Sequence, residues 1–461
     1  LEVPVRSLHV LVLPVVFSIL VTACAGNDTS ITAAPEDSTT TAAVVTPIEG
    51  PLGMVIVHGP NPEQVVCGYD GDELVAMASL ETVGETLADQ GVSVAPLRID
   101  PGDPAGVLPN GLKAYVITAA VAGDPPPNPV EAASILLDAG ITASPRHLVM
   151  PADRWKFGPA TAATPVSPSA YVRDPIMRGD ANVVIVDTGS APSPPGDMAG
   201  AWTNIFTGTA DVPVPTEDEP AHLDERYVGH GVFAAGIVRR ILPNGSLSIR
   251  TAMTLPSEEG PVLDEHSVVA SVTAALSAEL QKGNGGVVNL SLGAYTCVPD
   301  QFPLELAAML ESIATSKEDV VFVAAAGNDG VSDPSYPFWP AGFSDAALST
   351  FETAPWLTDL PGIIVGVGAL ESGTTVPAGF SNTIAASAWA PGTDVVSTYP
   401  DRTASGGVVF DTGFASWSGT SFAAPFVSAI IAGCRNETPN RTYRESLATI
   451  AGAEFTGPVC P

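Results

Sequence analysis

Four runs in the second half of the chain, ANVVIVDTGS (181–190), GGVVNLSLG (285–293), DVVFVAAAGN (319–328) and GIIVGVGAL (362–370), are apolar on successive residues rather than alternating. A strand is apolar on both sides only where both faces of its sheet are covered, which is the condition of a central parallel strand. Helical spacing lies between the runs, at 231–242, 266–282 and 303–316. The alternation predicts an α/β fold, a doubly wound parallel sheet with helices on both faces, beginning near residue 181 and continuing to 461.

A chain of 461 residues has room for a second domain. From 51 to 151 the pattern reads strand (54–58), helix (73–91), strand (92–99), strand (112–121), helix (128–140) and strand (146–151). The order βαββαβ is that of a small ferredoxin-like α+β domain. Between the two lies 152–180, whose FGPATAATPVSPS predicts a proline-punctuated linker.

The first residues, LEVPVRSLHVLVLPVVFSILVTACAG, set Arg6 before an apolar stretch from Leu8 to Val21 and small residues around Cys24. That is the layout of an export signal, shorter than the about 20 residues of a spanning helix. It resembles a bacterial lipoprotein signal, with VTAC as the lipobox and Cys24 as the lipidated residue. The expected organisation is a signal peptide at 1–24 and a Ser/Thr/Ala/Pro-rich tether at 25–50. The body of the chain is then extracytoplasmic, held in the bacterial cell envelope as a lipoprotein or secreted.

Acidic residues outnumber basic ones by 50 to 18, for a net charge of −32. Nucleic acid and anionic membrane surfaces would repel such a chain, so membrane contact is expected only through the N-terminal lipid anchor. A monomer is expected. Besides Cys24 there are four cysteines, an even number that favours disulfides in an exported protein, with three possible connectivities. Cys434 and Cys460 are the local pair, and Cys67 with Cys297 would then join the two halves of the chain. No histidine stands at ligand spacing from them, so no metal site is expected.

Three residues carry the candidate chemistry. Asp187 ends the first apolar run, where ligands bind in open parallel sheets, although an Asp before Thr-Gly also suits a turn. His230 stands between glycines in YVGHGVFAAGIV, with its imidazole expected at the rim of the core. Ser421 heads WSGTSFAAPFVSAIIAG, a helix apolar all round from Phe422 to Ala432, as expected of one running through a core. A serine there is ordinarily an N-cap, and Pro425 is expected in or near the first turn, where a missing N–H costs little.

Taken together, VDTGS, GHGVFAAGIV and SGTSFAAP resemble, in order, the Asp, His and Ser segments of subtilisin-like serine proteases. VVNLSLG and VAAAGNDG resemble that family's substrate strand and oxyanion segment. The resemblance implies a serine endopeptidase acting on polypeptides, with Ser421 as nucleophile, His230 as base, Asp187 orienting it, and Asn328 binding the oxyanion. It implies substrate binding along Ser291, Leu292 and Gly293 and at Ala326 and Gly327. It also implies that 51–151 is either a propeptide or a lasting accessory domain. No cofactor is expected; calcium is common in the family, but no acidic loop marks it here. Val232 replaces the family's usual Thr, and Phe338 and Trp339 fall near the primary specificity pocket. An idle binding module is the alternative, favoured had any of the four catalytic positions been replaced. An esterase would want G-x-S-x-G, and a sedolisin a glutamate in place of His230.

Overall fold

The computed structural model describes residues 54–58, 65–97, 111–121 and 127–151 of the first part and most of 163–460, with its widest break at 190–228. The expected signal, Cys24 and the tether lie outside the described residues.

The first domain opens with a hairpin, β1 (Met54–His58) antiparallel to β2 (Val65–Ala76). The βαββαβ unit then runs β2, α1 (Leu80–Leu87), β3 (Val92–Pro96), β4 (Lys113–Ala119), α2 (Pro129–Asp138) and β5 (Ala143–Pro151). Its strand order β3-β4-β2-β5, antiparallel throughout, is the ferredoxin-like arrangement. Two details differ from expectation. The strand at 54–58 is a hairpin partner outside the unit, and the first helix begins at Leu80 because 73–76 belongs to β2. β2 passes through Asp70–Glu73 with a register break between Tyr69 and Leu74, a bulge that keeps one strand continuous. Ser79 and Asn128 cap α1 and α2 by accepting the Thr82 and Val130 N–H groups. Leu74, Val83, Leu87, Tyr115 and Leu136 meet between helices and sheet.

The second domain contains β6 (Asn182–Asp187), α3 (His230–Ile241), β7 (Ser246–Thr251), α4 (Glu265–Ala275), β8 (Gly286–Leu290), α5 (Leu304–Ala314), β9 (Val320–Ala325), β10 (Ile364–Leu370), β11 (Ala388–Pro391) and α6 (Thr420–Glu437). Its sheet has the order β11-β10-β9-β8-β6-β7 and is parallel throughout. Phe233 of α3 and Val427 of α6 belong to the core on one face, Val268 of α4 and Leu306 of α5 to the core on the other. Both faces are therefore covered, as the unbroken apolar runs require. The chain order reverses at β6, between β7 and β8, and it is at the carboxyl ends beside such a switch point that open α/β sheets bind their ligands.

Part of the expected linker packs on this domain instead. Thr164–Pro165 pairs with Ala415 and Ser416, the Tyr171 hydroxyl donates to Gly236 O at 2.8 Å, and Met177 is buried. Both expected disulfides are present: Cys67–Cys297 joins the domains and Cys434–Cys460 ties the tail to α6.

The domains meet along β5. Beyond β2, this strand pairs antiparallel with Gly260–Asp264 and then with Leu292–Gly293, in the register Gly293↔Met150 and Leu292↔Pro151. Beneath the pairing lies a buried charge cluster whose partners are far apart in the sequence. Arg146 donates to Glu305 Oε1 at 3.0 and 2.7 Å and also to Glu73. The His147 N–H donates to Glu265 Oε2 at 3.3 Å, and Glu265 Oε1 accepts the Leu306 N–H at 3.0 Å. Burial pushes the Glu305 carboxyl up, but Arg146 and His266 outweigh it and hold the group below its ordinary range.

Candidate active site

Asp187 is the last residue of β6. Its Oδ1 accepts the Thr188 N–H at 2.7 Å and lies 2.7 Å from His230 Nδ1. His230 is the first residue of α3, and the glycines around it are what let that helix start against the aspartate. Gly229 has φ 85°, and a Cβ there would meet Pro400 Cδ at 2.4 Å; a Cβ on Gly231 would meet Gly189 O at 2.7 Å. Thr188 Oγ1 accepts the Gly231 N–H at 3.1 Å, satisfying a first-turn donor. The imidazole is not at the rim: His230 is 0% exposed. Trp417 packs perpendicular to its ring at 5.5 Å and Phe422 lies at 5.3 Å, with Phe233 behind them. Burial strengthens the Asp187–His230 bond and fixes the ring.

Ser421 is the second residue of α6, with Gly419 in the cap position, so it is not an N-cap. It sits among first-turn N–H groups at the positive end of the helix. Its hydroxyl donates to Ser291 O at 3.1 Å. Pro425 lies inside the helix, beyond the first turn, and cannot supply the N–H that the carbonyl four residues earlier would receive. That carbonyl belongs to Ser421, and Ser291 Oγ donates to it at 2.7 Å instead. Ser291 Oγ in turn accepts from Asn289 Nδ2 at 2.9 Å, and Asn289 Oδ1 accepts from Ser428 Oγ at 3.1 Å. A buried polar thread thus stitches β8 to α6 under the serine.

Asn328 is 2% exposed, and its Oδ1 accepts both the N–H and the hydroxyl of Thr420, each at 2.8 Å. This fixes the amide so that Nδ2 is the end left over, and Nδ2 meets no acceptor among the described residues. A buried donor without an acceptor is costly unless function supplies the partner. Thr420 Oγ1 also accepts the Gly327 N–H at 3.1 Å. On the other side, Asn382 Oδ1 accepts the Asp329 N–H at 3.1 Å, and the Tyr295 hydroxyl donates to Asp329 Oδ2 at 2.7 Å. Burial and the Asp329 carboxylate raise the Tyr295 phenol well above its usual range, so it stays a donor.

The expected substrate positions divide into two walls. Leu292 and Gly293 keep a backbone edge that β5 pairs with. Ala326 and Gly327 have theirs engaged: Ala326 N–H donates to Val367 O at 3.0 Å and Ala326 O accepts from Asn382 Nδ2 at 2.9 Å. Thr420, Asn289, Tyr295 and Asn382 were not legible as site residues, because every partner that gives them a role is distant in sequence. Among the described residues one carboxylate group has metal-ligand spacing, Asp70, Asp72 and Glu73, far from this site along the chain. Arg146 already engages Glu73 there, and burial followed by Glu73 pushes Asp70 up to about 7.

A doubly wound parallel sheet with Asp187 against His230 at the end of one strand, and with Ser421 heading a core helix bonded to Ser291 beyond another, is the architecture of a subtilisin-like serine endopeptidase. The chain belongs to the subtilase family, whose model matches residues 179–453. It is 28% identical over 299 residues to Subtilisin BL of Lederbergia lenta, a match covering 62% of this chain and 90% of that protein. It is 29% identical over 221 residues to Mycosin-2 of Mycobacterium tuberculosis, covering 44% of this chain and 38% of the other. Fervidolysin from Fervidobacterium pennivorans, described as a keratinolytic enzyme related to subtilisin, matches at TM-score 0.49 and 18% identity over 81% of this chain and 56% of its own.

Proposed function

We propose that this protein is made as an exported proenzyme and hydrolyses peptide bonds with Ser421, His230, Asp187 and Asn328. The Ser421 hydroxyl swings from Ser291 O to the imidazole and attacks the scissile carbonyl. His230 takes its proton and returns it to the leaving amine, while Asp187 holds Nδ1 protonated and stabilises the imidazolium. The tetrahedral oxyanion receives Asn328 Nδ2–H and the Ser421 N–H of the first helical turn. The observation that carries this reading is the asparagine: an amide locked by Thr420 with a buried N–H left over is a donor set up for a charge that exists only during reaction.

The N-terminal domain is, on this proposal, the enzyme's own inhibitor. Its last strand, β5, lies antiparallel to Leu292–Gly293, the position in which an extended substrate would gain main-chain bonds. A cut within 152–180 would leave the two pieces joined through Cys67–Cys297. Export through the N-terminal signal, with lipidation at Cys24, agrees with a chain stapled by two disulfides. An idle binding module is disfavoured because none of the four positions is replaced.

Labelling with a fluorophosphonate tests the catalytic assignment. The label should map to the peptide containing Ser421 in the wild type and be absent in Ser421→Ala and greatly slowed in His230→Ala. A wild-type protein that hydrolyses no peptide and takes no label would overturn the assignment.

A further inference from the structure

Beyond the carboxyl ends of β8 and β9, two segments continue side by side, Leu292–Gly293 and Ala326–Gly327. They flank Ser291 and Asn328, so a substrate whose scissile carbonyl lies at Ser421 must send the side chain before that carbonyl into the gap between them. Both segments have a glycine at the gap, and the gap is already filled by the chain itself. A Cβ on Gly293 would fall 2.4 Å from Phe338 Cε1, and one on Gly327 would fall 3.0 Å from Phe338 Cγ. The Phe338 ring therefore spans the space between the two backbones, and it is 0% exposed.

The ring is also fixed there. The next residue, Trp339, exchanges two backbone hydrogen bonds with Ala294, at 2.8 and 2.9 Å, and the Phe338 carbonyl accepts the Gly342 N–H at 2.9 Å. Tyr295 packs against the ring with centroids 5.1 Å apart and is itself held by Asp329 and Asn382. The bridge keeps the backbone at Phe338 from shifting, and turning the ring aside would strip its packing against Tyr295 and push it into close-packed neighbours, so the aromatic is a wall and not a gate.

We propose that Phe338 is the specificity-determining residue of this enzyme and restricts it to substrates with Gly, Ala or Ser immediately before the scissile bond. The inference rests on the proteolytic reading of the same site. A large side chain in that position has nowhere to go, because extra atoms forced into a close-packed site displace side chains and backbone at a cost. The N-terminal domain agrees in sequence: the residue after Pro151 is Ala152, so the proposal sets the internal cut at Ala152–Asp153.

The test is a set of tetrapeptide p-nitroanilides differing only in the last residue, Ala, Leu or Phe, assayed with the wild type and with Phe338→Ala and Phe338→Val. The wild type should prefer Ala over Phe by at least about 100-fold in kcat/KM, and Phe338→Ala should shrink that ratio by about 10-fold or more by gaining on Phe and Leu. Fluorophosphonate labelling of each variant at Ser421 reports that its site is folded, and Phe338→Val, which retains most of the core volume, gives an intermediate ratio. Wild-type activity on Phe equal to that on Ala, or a ratio unchanged in a labelled Phe338→Ala, overturns the role of Phe338 while leaving the protease assignment standing. Absence of label from the wild type overturns the assignment and the specificity with it.

Discussion

Ser291 and Ser421 exchange two hydrogen bonds: Ser291 Oγ donates to the Ser421 carbonyl at 2.7 Å, and Ser421 Oγ donates to the Ser291 carbonyl at 3.1 Å. The end of β8 and the start of α6 are thereby held as one body. The first bond fills the place that Pro425 leaves without a helical donor.

Ser291→Ala, made in a Ser421→Ala background to prevent self-cleavage, should therefore strand the residue-421 carbonyl and the Asn289 amide. We expect a loss of about 1–3 kcal/mol in equilibrium urea unfolding. Adding Pro425→Ala restores the helical N–H and should recover part of it. No recovery would show that the carbonyl had not depended on Ser291.

Thr420 should matter to catalysis without touching substrate. Thr420→Val removes the hydroxyl donor to Asn328 Oδ1 and the acceptor of the Gly327 N–H, leaving the Asn328 amide held by the Thr420 N–H alone. We expect kcat to fall roughly 10- to 100-fold with KM nearly unchanged, and Thr420→Ser to restore it. Asn328→Ala should cost more, about 10²–10³ in kcat. A fall in KM-controlled binding alone would place Thr420 outside this network.

The four parallel strands and the order of the site segments were legible because their causes are local. Burial on both faces forces unbroken apolar runs, and tight turns force glycines beside His230. The misreadings have non-local causes. Residues 73–76 continue β2 past its bulge because they pair with distant strands, whereas their local pattern fits the helix that follows. His230 is buried by Trp417 and Phe422, nearly two hundred positions away in the chain. The depth of Pro425 in α6 is tolerable only because Ser291 serves the orphaned carbonyl. Arg146 and Glu305, 159 residues apart, look like surface charges until β5 docks on α5.

Glu305 gives a pH-dependent stability with a definite sign. Its folded pKa is depressed, so its contribution is present above the ordinary carboxylate range and lost as pH falls through the folded value. Glu305→Gln leaves Arg146 with one carboxylate fewer in a buried setting and should cost about 3–5 kcal/mol near neutrality. Urea unfolding across pH should show that difference shrinking in acid. A difference independent of pH would remove the charge from the account.

Asp70 has the opposite sign. Its folded pKa is raised to about 7, so the folded state prefers the proton and stability declines as pH rises from about 4 to about 7. Asp70→Asn keeps an acceptor for the Asp72 N–H and removes the charge. Melting curves should show a higher Tm than wild type at pH 8 and no gain at pH 3. A gain at both would point to packing instead.

The most direct measurement is intact mass, before and after reduction, of the purified full chain and of Ser421→Ala incubated side by side. We expect the wild type alone to gain one water by a cut at Ala152–Asp153 and to separate into two pieces only when Cys67–Cys297 is reduced. A wild type that stays whole and hydrolyses no added peptide, or a Ser421→Ala protein cut at the same bond and rate, would contradict the account.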